Sequence, residues 1–200
     1  MKRFAAITLA ALISAPICAH ADDITDQINE ALKAYKAKDL ETAMMALDSA
    51  STLIRQQRAD NLAELLPQPL PGWVSEADDT STGANAAMFG GGTNAERVYR
   101  QQKDDDYKEI RITITGDSMM IQSMSLLFSN PMFMSGRDQK LVVIDGRKVM
   151  QDSAEGSLTT MVNNKALVVV NASSNEPAMM DAAKRYFNAV NFKKLEAMMK

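Results

Sequence analysis

Residues 140–171, KLVVIDGRKVMQDSAEGSLTTMVNNKALVVVN, decide the fold. Short runs rich in valine, leucine, isoleucine and threonine alternate here with residues that favour tight turns. Asp145-Gly146 separates a strand over Lys140–Ile144 from one over Arg147–Asp152, and this dipeptide supplies the left-handed backbone that a two-residue hairpin needs. Asn163-Asn164-Lys165 separates Ser157–Val162 from Ala166–Asn171 in the same manner. Val168, Val169 and Val170 follow one another without a polar residue, which places their strand in the middle of a sheet.

Working outward, Glu96–Gln101 and Glu109–Thr115 read as two further strands about the polar turn Lys103–Asp106. Ile110, Ile112 and Ile114 alternate with Arg111 and Thr113, the period of a strand with one buried face. Trp73–Ala77 makes a short strand, and Asp78–Ala95 is mostly loop. Met120, Met124 and Leu127 have helical spacing, so 117–129 reads as a helix across one face of the sheet, with Asp117 as its cap. Ser174 or Asn175 caps a final helix with Pro177 in its first turn, and Met180, Ala183, Phe187 and Val190 line its apolar side. Phe192 and Leu195 continue into a last turn.

At the other end, Ile24, Ile28, Ala31, Leu32 and Tyr35 recur at helical spacing behind Asp23 as N-cap. Lys38-Asp39 breaks the helix. A second one carries Leu40, Met44, Leu47, Leu53, Ile54, Leu62 and Leu65 as its apolar positions, and Pro67, Pro69 and Pro71 end it. The expected architecture is α+β: a helical hairpin over 22–66, then a mainly antiparallel sheet over 67–200 with helices packed on one face.

The stretch Ala31–Ala50, ALKAYKAKDLETAMMALDSA, resembles one tetratricopeptide-type helical hairpin. Ala31 stands where the first helix needs a small residue, Asp39-Leu40 stands at the turn, and Ala43, Leu47 and Ala50 fall at small, large and small packing positions. The physical sense of the pattern is close helix approach at the alanines with a larger side chain filling between them. Such a pair cannot bury its apolar face alone, which implies packing on another part of the chain. The outline of the sheet domain is similar to the PsbP/Mog1-type α+β sandwich; no functional residue comes with that outline.

The first 21 residues have the layout of a secretory signal. Lys2 and Arg3 precede an apolar run over Phe4–Ile17, and Ala19-His20-Ala21 sets small residues before a cut between Ala21 and Asp22. The run is shorter than the roughly 20 residues of a membrane span. The expected location after cleavage is the periplasm or the exterior. The only cysteine, Cys18, and the only histidine, His20, leave with the signal. A chain so processed has no disulfide, no Cys or His nucleophile or base, no Ser-His-Asp triad and no Cys/His zinc site. It also loses Lys2 and Arg3, which takes the 22 basic residues to 20 against 25 acidic ones, a formal charge of −5. Charges of both signs are mixed along it without a basic stripe, which argues against nucleic acid.

Methionine is the unusual residue, with 15 in the chain. Packing and adaptable apolar contact are its commonest uses. A non-catalytic protein that binds an envelope protein or a small apolar ligand is the leading expectation, with Phe89, Met119, Met120, Met124, Phe128, Met132 and Phe133 as the contact residues and no cofactor. Thioether sulfur also suits Cu(I), so a copper carrier or buffer using Met119, Met120, Met124, Met132 and Met134 is the alternative. A hydrolase independent of His and Cys is the third. Gly90-Gly91-Gly92 lacks the Gly-Lys-Ser/Thr of a phosphate loop. Asp104, Asp105 and Asp106 lack the alternating ligands of a calcium loop. Asp152 and Glu155 are an acid/base pair only if their geometry allows it.

Overall fold

A computed structural model describes residues 19–76, 92–101, 108–118, 121, 124–125 and 138–200. Its helices are α1 (Ala19–Lys36), α2 (Leu40–Ala63), α3 (Pro177–Ala189) and α4 (Phe192–Met198). Its strands are β1 (Trp73–Ser75), β2 (Thr93–Gln101), β3 (Glu109–Gly116), β4 (Gln139–Ile144), β5 (Arg147–Asp152), β6 (Ser157–Val162) and β7 (Ala166–Ala172). The chain is α+β, as the sequence implies. It divides into two compact units, Met1–Leu53 and Ile54–Lys200, so α2 contributes to both. No described helix is long and apolar enough to cross a membrane.

In the second unit the seven strands form one sheet in the order β1-β2-β3-β7-β6-β5-β4, with every neighbouring pair antiparallel. Two meanders, β1-β2-β3 and β4-β5-β6-β7, are joined where β3 pairs with β7. The valine run of β7 is therefore the central strand. Asp145 and Gly146 both have positive φ, 47° and 74°, as the β4–β5 turn requires. Asn163 and Asn164 are left-handed as well, at 50° and 55°. Asparagine tolerates that backbone better than most side chains.

Strand period sorts the sheet into two faces. Ile110, Ile112 and Ile114 pair with Ala172, Val170 and Val168, and Leu158 pairs with Val170, so all lie on one face. This face meets Leu62 and Leu65 at the end of α2, Met179, Ala183, Tyr186 and Phe187 of α3, and Leu195 of α4 in one buried core. Pro177 opens α3 behind Glu176, whose side chain makes no capping bond; the N-cap thus falls one residue after Asn175 and two after Ser174, the caps expected. Asn191 caps α4 by accepting the Lys194 N–H at 3.1 Å.

Arg97 and Tyr99 tie the proline-rich link to this core. Both lie on the core-facing side of β2, opposite Ile112 and Ile110. Arg97 Nη1 donates to the carbonyls of Leu66 and Pro67, each at 2.9 Å, and Nη2 to that of Ala63 at 3.4 Å. The Tyr99 hydroxyl donates to the Pro67 carbonyl at 2.7 Å. A cation thus meets carbonyls at and just past the C-terminal end of α2, where the helix dipole favours positive charge.

Ile121, Met124 and Ser125 are helical, in keeping with a helix after β3. Asp117 has φ 53° and its carboxylate pairs with Arg58. Gly92 has φ 103°, and a Cβ there would stand 2.4 Å from the Gly116 carbonyl oxygen. Gly92→Ala is therefore expected to destabilise the sheet unit by about 1–3 kcal/mol, measured by urea unfolding.

Candidate functional site

The helix pair of the first unit is built on alanine. A Schellman turn closes α1: the Asp39 N–H donates to the Ala34 carbonyl and the Lys38 N–H to the Tyr35 carbonyl, both at 3.0 Å, with Lys38 left-handed at φ 61°. Asp39 then caps α2, accepting the Thr42 N–H at 3.1 Å and the Thr42 hydroxyl at 2.7 Å. These bonds, the hydroxyl first, hold its carboxyl below the usual aspartate value. At the other end α1 begins at Ala19, so Asp23 is within the helix and does not cap it. A link of only three residues makes the two helices antiparallel neighbours. Among the described residues of the first unit, the buried positions are Ala31 and Ala34 on α1 and Ala43, Ala46 and Ala50 on α2.

The large apolar side chains lie elsewhere. Ile28, Leu32 and Tyr35 follow at intervals of four and three on α1, and Leu40, Met44 and Leu47 do the same on α2; all six are exposed, Tyr35 and Met44 at 66 %. Each stripe sits about a quarter turn past its alanine seam, in the direction of the helix's own winding. In two antiparallel neighbours that sense brings both stripes to the same side. With the two alanine seams turned towards each other, the pair presents one apolar face made by both helices. Leu47 was expected to fill the space between Ala43 and Ala50. It is 54 % exposed instead, because a five-alanine seam closes without it.

Of the contact residues expected from the sequence, Met124 is helical and half-buried. Phe89, Met119, Met120, Phe128, Met132, Phe133 and Met134 lie outside the described residues, and with them most of the Cu(I) alternative. Asp104, Asp105 and Asp106 lie outside as well. Met179, Met180 and Met199 are buried core residues, the gap-filling use of methionine. Among the described residues no group of three or more His, Cys, Asp or Glu side chains is arranged to hold a metal ion.

Asp152, one member of the acid/base pair considered with Glu155, is held by its own turn. The Asp152 carboxylate accepts the Glu155 and Ala154 N–H groups at 3.0 and 2.9 Å and the Gln139 amide at 3.1 Å. Donation from Glu155, then from Gln139, holds its pKa below the usual value. It is the brace of the β5–β6 turn. A depressed carboxyl stabilises the fold fully above the unfolded value and loses that contribution as pH falls through the folded one. The sheet unit should therefore lose stability below about pH 4, and Asp152→Asn should flatten this acid limb in urea titrations read at several pH values.

The far face of the sheet carries a charge ladder on β2 and β3. Arg100 pairs with Glu76 and, at 3.3 Å, with Glu109. Arg111 lies 3.1 Å from Glu109 and 3.4 Å from Glu96. Signs alternate, so the ladder offers no field of one sign to a charged ligand. A cavity of about 50 Å³ lies among Arg58, Leu62, Thr93, Asp117, Met198 and Met199. It has room for a few waters and is far below the roughly 300 Å³ of an organic-ligand pocket.

No protein-family model, curated protein or solved structure matches the chain.

Proposed function

We propose that this chain is an exported, non-catalytic periplasmic protein that docks on an apolar protein surface through its helix pair. The observation that carries the reading is the side shared by Ile28, Leu32, Tyr35, Leu40, Met44 and Leu47, all exposed. A contiguous apolar patch made by two helices is an interaction surface far more often than single exposed leucines are. Its chemistry selects another apolar helical surface, because aliphatic side chains at helical spacing pack as ridges into grooves. A small apolar ligand is the other form of the expectation, and the cavity at Arg58 and Asp117 is too small to hold it. The export signal and the loss of Cys18 and His20 with it support the location and the absence of thiol or imidazole catalysis.

The test is a photo-crosslinking residue at Met44 in the producing cell, with Lys33, exposed on the opposite side of the pair, as control. A protein adduct at 44 and none at 33 is the expected result. The same pattern at both positions, or no adduct at 44, ends the reading.

A further inference from the structure

The face has a size and an edge chemistry that name its occupant. Its six side chains leave about 600 Å² open on each copy, given roughly 150–250 Å² for a large side chain. Two such faces fully covered remove at most about 1,200 Å² through these six side chains, which is the lower bound of a standard stable interface, and flanking residues add to it. At the turn end the two edges carry opposite charges. Lys36 is on the outer edge of α1, about a quarter turn past the stripe, and Glu41 and Asp48 are on the outer edge of α2. A two-fold axis parallel to the helices lays α1 of one copy over α2 of the other. Lys36 then meets Glu41 of the second copy at the turn end, twice over by symmetry.

We infer that the face is a homodimer interface, with a second copy of this chain as its occupant and a four-helix bundle as the product. The inference rests on the docking reading above and names the partner. In such a dimer, the two alanine-seamed pairs bury between them the aliphatic side chains that each leaves exposed.

Sedimentation equilibrium of the exported, processed protein up to about 100 µM tests it. The wild type is expected at the mass of two chains. Leu32→Glu with Met44→Glu is expected at the mass of one, with unchanged thermal unfolding of the Trp73 signal showing that the sheet unit is intact. Lys36→Glu should weaken association about tenfold, because two symmetric edge pairs become repulsive. Adding Glu41→Lys should restore it, which a merely misfolded variant would not do. A one-chain mass for the wild type, or a two-chain mass for the double glutamate variant, overturns the inference. If the wild type is one chain and Met44 crosslinks to a different protein in the cell, self-association fails and the docking reading stands. If the wild type is one chain and Met44 gives no adduct, both fail.

Discussion

Tyr186→Ala is expected to cost the sheet unit about 3–5 kcal/mol, the range for removing a fully buried aromatic ring. Tyr186 has no exposed surface. Its ring lies 4.3 Å from that of Tyr99 and meets Trp73 edge-on at 5.6 Å. Its oxygen accepts the Leu70 N–H at 3.2 Å, and burial pushes its phenol pKa up. The ring therefore joins three parts of the unit: α3, the sheet and the proline-rich link before β1. Its removal opens a void among them and leaves the Leu70 N–H without this acceptor. Tyr186→Phe keeps the ring and loses only the hydrogen bond, so it should cost about 0.5–1.5 kcal/mol. Urea unfolding followed by circular dichroism separates the two variants. A Tyr186→Ala cost near that of Tyr186→Phe would mean that the surroundings collapse onto the site.

Arg97→Ala should cost about 3 kcal/mol, the upper end for hydrogen bonds to a charged group. Three carbonyls, of Ala63, Leu66 and Pro67, converge on one guanidinium at the point where α2 ends. Pro67 fixes the end of the helix, because it has no N–H to continue the ladder. Arg97→Lys should recover less than half of the loss. A lysine keeps the charge near the helix terminus, but its ammonium cannot reproduce the planar fork that reaches carbonyls on both sides. The same denaturation series reads both variants, and full rescue by lysine would reduce the role of Arg97 to charge alone.

The strands were legible because their signals are local. The β4–β5 and β6–β7 hairpins follow from alternating side chains and from turn residues whose left-handed backbone the structure bears out at Asp145, Gly146, Asn163 and Asn164. The pairing of β3 with β7 joins residues about 60 positions apart, such as Ile110 with Ala172. No turn lies between them to announce it, and only the valine run of β7 hints at a central place. The convergence of Trp73, Tyr99 and Tyr186 was equally beyond spacing rules, since each belongs to a different element.

For the candidate site the residues were legible and their role was not. Ile28, Leu32, Tyr35, Leu40, Met44 and Leu47 stand out by helical period, and the period alone assigns them to a core. What separates a core stripe from an open face is whether something else closes the seam. Here Ala34 and Ala46, beside Ala31, Ala43 and Ala50, supply that closure. The two extra alanines were the available signal. The methionine cluster at 119–134 drew attention by composition instead, and of its described members only Met124 has a known environment.

Adjacent methionines on α2 offer the most direct test. Met44 is on the apolar face and is 66 % exposed; Met45 is one residue on, about 100° round the helix, and is 58 % exposed. A single undocked chain should oxidise at both at similar rates, since thioether oxidation follows access. Cells expressing the protein would be treated briefly with dilute hydrogen peroxide, and sulfoxide at each position measured by peptide fragmentation. Protection of Met44 relative to Met45 in the cell, lost when the purified protein is diluted, is the result expected of a docked face. Equal oxidation of the two in the cell would mean that the face is open to water where the protein works, and would contradict its use as a binding surface.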